Sequence, residues 1–153
     1  MRLTHAAMLI LLVLAASTAG CQKVKTKLGI GDDITRPAPG TPEKVIQDVL
    51  KAAINADEEA GWEGFYPLLH TDEADSPAAM NNWRTIKFPA IRRKAAYLLT
   101  DKSSFEFTVM DRREDGRSLT IFVKNSKSDS PTPCKLRQDP DKGNAWMVFN
   151  SCF

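Results

Sequence analysis

The chain has 153 residues, of which 21 are basic and 19 are acidic, and its formal net charge at pH 7 is +2. This near balance gives no electrostatic case for binding nucleic acid or for a strong polybasic patch on a membrane. The length fits one domain with a tether, and a chain of this size buries a hydrophobic core without a metal or a disulfide to hold it.

The first 20 residues have the layout of an export signal. Arg2 and His5 precede an uninterrupted apolar run, residues 6–16, which is too short to span a bilayer as a mature helix. Small residues occupy positions 17–20, and Cys21 follows them. Ordinary secretory cleavage beside these small residues is the alternative that the pattern leaves open.

This stretch resembles the bacterial lipoprotein signal, in which a lipobox of small residues ends at an invariant cysteine. The resemblance implies that the signal is cut just before Cys21, which becomes the acylated first residue, with palmitate among its acyl chains. Thr18 departs from the family, where Leu is commoner. Gln22 stands where Asp retains such proteins at the inner membrane, so the resemblance implies the periplasmic face of the outer membrane.

Residues 22–40 predict a tether, because they are mostly polar, contain three glycines and two prolines, and lack apolar periodicity. The predicted organisation is a signal peptide at 1–20, a lipidated cysteine with a flexible tether at 21–40, and one domain at 41–153. No later apolar run approaches bilayer length, so the predicted membrane contact is through lipid alone. Several acyl chains, at about 0.8 kcal/mol for each buried CH₂, anchor a protein durably.

The first half of the domain has the three- and four-residue apolar spacing of amphipathic helices. Thr41 and Pro42 are typical of a helix start, so the first helix is predicted over residues 42–54. A second helix is predicted over residues 58–69. Two glycines and a proline within it predict that this helix is short or broken.

The Ser-Pro pair at 76–77 predicts the start of a third helix that continues past Trp83. Pro89 disfavours helical geometry at Phe88. We therefore expect a break there, followed by a fourth helix over residues 90–99.

The apolar spacing then changes to two, which predicts strands at 104–110 and 119–124. A three-residue loop ending at Gly116 pairs Val109 with Ile121 and keeps both apolar sets on one face, whereas a two-residue loop separates them. The three-residue loop is the prediction. The inward positions are Phe105, Phe107, Val109, Leu119, Ile121 and Val123.

Residues 126–133 are predicted to form a loop before a third strand at 134–138. The run Asp-Pro-Asp-Lys-Gly at 139–143 is a strong turn signal, and the last strand is predicted at 145–153.

Folding this hairpin about Gly143 sets Cys134 opposite Cys152, close enough for a disulfide. If Cys21 carries lipid, these two cysteines remain, in an oxidising compartment that favours their pairing. Two free buried thiols are the alternative.

Helices followed by an antiparallel meander define an α+β domain. This element order, with the opening TPEKVIQDVLKA and the ending AWMVFNSCF, resembles the NTF2-like (cystatin-like) superfamily and its small lipoproteins. The resemblance implies a cone in which N-terminal helices pack on a curved four-stranded antiparallel sheet. The cone encloses a pocket that some members use for catalysis and many use only for binding.

Four aromatic residues are candidates to line such a pocket, with core packing as the alternative: Trp62, Tyr66, Trp83 and Tyr97. The predicted inward sheet positions are all apolar and include no carboxylate that would act as a base. His70 is the sole histidine after the signal and is expected on the surface at a helix end.

The sequence has no CxxC, HxxxH or GxSxG spacing and no glycine-rich phosphate loop, so no metal or cofactor is predicted. These observations favour a non-catalytic binding or scaffolding domain over an enzyme. A small-molecule-binding or degenerate enzyme domain that uses the cone pocket is the alternative.

Charge is unevenly distributed along the helical half. Residues 57–75 contain seven acidic side chains and no Lys or Arg, whereas residues 84–94 contain five basic and no acidic ones. These segments are candidate contacts for a protein partner in the envelope, or they pair with each other. Solvated helix faces with weak ion pairs are the simplest interpretation.

Overall fold

The computed structural model describes residues 31–153. The predicted signal peptide, the predicted lipidation site Cys21 and residues 22–30 of the predicted tether lie outside the described residues. The described part is an α+β domain with helices followed by antiparallel strands, compatible with a cone-like fold. Its elements are β1 (Asp32–Ile34), α1 (Pro42–Ala53), α2 (Glu58–Phe65), α3 (Pro77–Asn82), α4 (Phe88–Leu98), β2 (Phe107–Asp115), β3 (Ser118–Asn125), β4 (Ser128–Asp139) and β5 (Ala145–Cys152).

The first three helices begin at side-chain caps that satisfy free backbone N–H groups. The Thr41 hydroxyl accepts a hydrogen bond from the Lys44 N–H at 3.3 Å, and Ser76 caps α3 in the same way. Asp57 caps α2, which passes into the 3₁₀ turn Tyr66–Leu68. The predicted starts of α1 and α3 and the irregular second helix are therefore confirmed.

The predicted break at Phe88 is wrong, because the chain stays helical between α3 and α4. A π-helical turn, Trp83–Lys87, joins them, and the Phe88 N–H bonds to the carbonyl five residues earlier. In a regular α-helix, Pro89 would leave the Thr85 carbonyl without a donor and its ring would collide with that carbonyl. The wider turn accommodates the proline without ending the helix.

The sheet has five antiparallel strands in the order β1-β2-β3-β4-β5, not the four predicted. The added strand, β1, lies within the segment predicted to be a tether. It pairs with β2 at one edge of the sheet, with Asp33 opposite Thr108.

The β2–β3 connection has two residues, so the predicted three-residue loop and its pairing are wrong. Asp115 pairs with Ser118, and Gly116 adopts a φ of +59° between them. A bulge at Met110 shifts the register so that Val109 pairs with Val123. Because a bulge changes which face the following residues occupy, the apolar residues of both strands still share the buried face, as predicted. The prediction is wrong for Phe105, which precedes β2, has a φ of +55° and is only partly buried.

The predicted loop at 126–133 is also wrong, because β4 begins at Ser128 and pairs with β3 from there. Pro131 and Pro133 are compatible with this strand because β5 pairs with β4 only as far as Cys134, so no residue of β5 needs a backbone N–H donor from either proline. Pro133 directs its carbonyl to the Phe153 N–H beyond the end of β5, so its missing donor is not needed there.

The helices cover one face of the sheet and form the core with it. The largest fully buried side chains come from both layers: Phe65, Trp83, Phe88, Ile91 and Leu98 from the helical half, and Phe107, Ile121 and Leu136 from the strands. No helix among residues 31–153 is long and apolar enough to cross a membrane.

Candidate functional site

The four aromatic residues predicted to line a pocket do not form one group. Trp62 and Trp83 are buried and each lies beside Phe65, with ring centroids 6.0 and 5.7 Å from it. Tyr66 lies 6.2 Å from Trp62 but is 47% exposed. Tyr97 lies elsewhere, with the Lys127 ammonium 3.9 Å from its ring centroid.

Side chains fill the space between the helices and the sheet. Phe65 stacks on Phe88 with ring centroids 4.7 Å apart, and Trp83 and Phe107 are also fully buried. A cleft of about 430 Å³ lies elsewhere, beside β1 and the start of α1. The aromatic residues of this layer therefore act as core.

His70 is buried and only 2% exposed, so the expected surface position is wrong. After the 3₁₀ turn that ends α2, the chain runs beside β5, and the His70 N–H donates to the Val148 carbonyl at 2.9 Å. The His70 Nδ1 accepts from the Asp72 N–H at 3.1 Å, and the ring meets Phe149 edge-on. The His70 imidazole is therefore buried where the segment after α2 packs against the edge strand β5.

A buried carboxylate, Asp139, fixes the same segment to the β4–β5 turn. It accepts hydrogen bonds from the N–H and hydroxyl of Thr71, both at 2.8 Å, and from the Asp141 N–H at 3.0 Å. Burial raises the pKa of the Asp139 carboxyl, but these hydrogen bonds outweigh burial and hold the pKa below its usual range. Asp139 therefore has a structural role as an ionised acceptor.

Glu73 makes the second link between the helical half and the sheet. One carboxylate oxygen accepts from the Trp83 indole N–H at 2.9 Å and the other from the Asn150 N–H at 2.8 Å. The Lys87 ammonium lies 3.6 Å from Glu73, donates to the Asn150 carbonyl at 2.9 Å and lies over the Trp83 ring. We call Glu73, Trp83, Lys87 and Asn150 the Glu73 junction.

Two backbone irregularities meet at the Glu73 junction. One is the π-helical turn, and the other is a bulge in β5, where residues 149–151 lie opposite Lys135 alone. Asn150 has a φ of +66° within the bulge. Both kinds of irregularity are frequent at functional sites.

Cys134 and Cys152 lie directly beyond the bulge. They are paired opposite each other, and their sulfur atoms are 2.01 Å apart, which is disulfide distance. The prediction that Cys134 lies opposite Cys152 is therefore confirmed.

The π-helical turn also presents an apolar side chain to solvent. Ile86 is 64% exposed and is flanked in sequence by Arg84 and Lys87. Arg84 pairs with Glu59 on α2, and Lys87 pairs with Glu73. The acidic and basic segments therefore contact each other at these two points within the domain.

The Glu73 junction joins acceptors to donors and does not place a nucleophile beside a base. Among residues 31–153, no three His, Cys, Asp or Glu side chains are arranged to hold a metal ion.

No protein-family model, curated protein or solved structure matches this chain.

Proposed function

We propose that this is a lipid-anchored cell-envelope protein whose α+β domain binds a protein partner without catalysing a reaction. Cys21 is the proposed lipidation site, and the periplasmic face of the outer membrane is the proposed location. The small residues before Cys21 support the anchor. The order of helices before an antiparallel meander supports the further proposal that the domain is NTF2-like.

The packed interior is the observation that carries the non-catalytic part of this proposal. A small molecule held by a cone-shaped domain needs a concave site with a few convergent polar groups. In the described domain, Phe65, Trp83, Phe88 and Phe107 occupy the space between the helices and the sheet. Binding is therefore assigned to the outer surface.

The π-helical turn is the part of that surface best suited to a partner. Complete burial of an Ile side chain contributes about 1.5–3 kcal/mol, and Ile86 has most of its area still exposed. Arg84 and Lys87 already pair with Glu59 and Glu73, so the proposed partner contact depends on the apolar side chain of Ile86 and not on free positive charge. The Glu73 junction holds the turn in place, so little ordering cost opposes binding.

The test is photo-crosslinking in cells from a reactive residue at Thr85, next to Ile86, with Lys124 on β3 as the control position. We expect one protein adduct from Thr85 and none from Lys124. Ile86→Ser should remove the Thr85 adduct, because it removes the apolar contact. The same adducts from both positions, or an adduct that persists in Ile86→Ser, would contradict this surface.

A further inference from the structure

Two large hydrophobic side chains remain exposed among residues 31–153, and both belong to the same part of the helical layer. They are Tyr66, just after α2, and Ile86, in the π-helical turn. The Tyr66 ring lies 6.2 Å from the buried Trp62 ring, and the Arg84 guanidinium of the π-helical turn lies 6.0 Å from the same indole. The end of α2 and the π-helical turn therefore lie side by side around Trp62.

α2 runs against the direction of the continuous helix that the π-helical turn and α4 form. A Cβ atom on Gly61 would lie 2.7 Å from the Arg92 guanidinium, whereas the Phe65 ring centroid lies 5.7 Å from that of Trp83. The end of α2 is therefore level with the π-helical turn. Glu63, which lies between Gly61 and Phe65, is level with the first turns of α4.

Helical spacing arranges the outward side chains of this layer in two strips. Glu63 and Tyr66 are three residues apart and both exposed, and they form the α2 strip. Ile86, Ala90 and Arg93 are four and three residues apart, so they share the outer side of the continuous helix and form the α4 strip. Each strip combines one exposed hydrophobic side chain with one charge, which is negative in the α2 strip and positive in the α4 strip.

The two charges of these strips are not used within the described domain. Glu59 pairs with Arg84, but neither Glu63 nor Arg93 has an ion-pair partner among residues 31–153. Charges that complement each other across an interface select the partner and fix its register. The α2 strip therefore matches a partner with a positive group, and the α4 strip matches one with a negative group.

We propose that the partner at this surface is a second copy of the chain, related to the first by a two-fold axis that runs between the two strips. This inference rests on the proposed function, which assigns partner binding to the π-helical turn. A rotation of 180° about that axis sets the α2 strip of each copy over the α4 strip of the other. Because of the levels of the two helices, Tyr66 then faces Ile86 of the other copy, and Glu63 faces Arg93.

The interface is small, and the proposed lipid anchor compensates for its size. Two short helical strips bury less area than a stable dimer in solution needs. Copies that are anchored in one membrane share a surface, which raises their effective concentration without any added contact. The pair therefore forms on the membrane and dissociates in dilute solution.

The test is photo-crosslinking from Thr85 in cells that make two full-length chains with different affinity tags. We expect an adduct that has the mass of two chains and carries both tags. Glu63→Lys or Arg93→Glu, when present in both chains, should lower the yield of this adduct about tenfold, because either change places like charges in contact twice.

A mixture of the two variants supplies the decisive comparison. When one chain carries Glu63→Lys and the other carries Arg93→Glu, both contacts join opposite charges, so the two-tag adduct should return. This recovery also shows that both variants fold. The matched controls, Asp129→Lys on β4 and Lys124→Glu on β3, make the same charge changes at exposed strand positions and should leave the yield unchanged.

The outcomes separate this inference from the proposed function. An adduct of Thr85 with a protein of another mass would overturn the second copy as the partner but leave the partner-binding surface standing. Failure of the mixture to recover the two-tag adduct, or an equal loss in the controls, would overturn the two-fold arrangement. The absence of any adduct from Thr85 would contradict the proposed function itself.

Discussion

Glu73→Gln removes the carboxylate on which the Glu73 junction depends. A hydrogen bond to a charged partner contributes about 1.5–3 kcal/mol. A Gln side chain has one carbonyl, so it accepts from the Trp83 indole or from the Asn150 N–H but not from both. Trp83 is only 1% exposed, so water does not replace a lost acceptor there, whereas Asn150 is exposed. We expect a loss of about 2 kcal/mol in the free energy of unfolding, and a Tm about 8 °C lower in a domain of this size.

Urea unfolding of Glu73→Gln measures this loss, and Glu63→Gln, at an exposed position on α2, is the matched control. The control should change the free energy of unfolding by less than about 0.5 kcal/mol. Hydrogen exchange should also show faster exchange of the Asn150 amide in Glu73→Gln alone. Equal losses in the two variants would refute the assignment of Glu73 as the link between the turn and the bulge.

Three further predictions test the domain. Because the pKa of Asp139 is lowered in the folded state, its carboxylate stabilises the fold above about pH 4, and this stability is lost as the pH falls through the folded-state pKa. In Asp139→Asn, the free energy of unfolding should therefore fall less between neutral and acidic pH than in the wild-type chain. Gly61→Ala should destabilise by about 1–3 kcal/mol in thermal unfolding, because its Cβ would lie 2.7 Å from an α1 carbonyl. Gly64→Ala, whose Cβ has ordinary 3.5 Å contact, should not destabilise, and equal losses would contradict the close approach. Replacement of Cys134 and Cys152 together with Ser should cost about 3 kcal/mol in urea unfolding, since the link spans 18 residues; no loss would contradict a disulfide.

Local signals in the sequence predicted the elements that depend on neighbouring residues. Thr41 and Pro42 place the start of α1, because capping and a fixed φ act within one turn. The same holds for the turn at Gly143, which adopts a φ of +66°. The turn alone does not set Cys134 opposite Cys152, because the register of Leu136 with Val148 would continue to Asn150, and the two extra residues of the β5 bulge shift the pairing to Cys152.

Features held by distant residues were not predictable in the same way. β1 has three residues and no alternation, and its place in the sheet depends on Arg112, which lies 80 positions away from Asp32. The bulge at Met110 allows a two-residue turn to leave the apolar residues of β2 and β3 on one face. No single residue in the sequence predicts this bulge.

The candidate surface was only partly predictable. Trp83 was identified from the sequence, but as a candidate pocket residue, and the structure places it in the core with its indole N–H on Glu73. Pro89 was read as a helix break, although a proline inside an otherwise continuous helical pattern is also a signal for a widened turn. Glu73 gave no local signal, because its partners lie 10 and 77 positions away.

The central claim is that lipid on Cys21 holds this domain in the cell envelope. The most direct measurement is membrane fractionation of cells that express the wild-type chain or Cys21→Ala, followed by separation of inner and outer membranes by density. We predict that the wild-type chain sediments with the outer membrane and that Cys21→Ala appears in the soluble periplasmic fraction. Retention of Cys21→Ala with the membranes would contradict the lipid anchor.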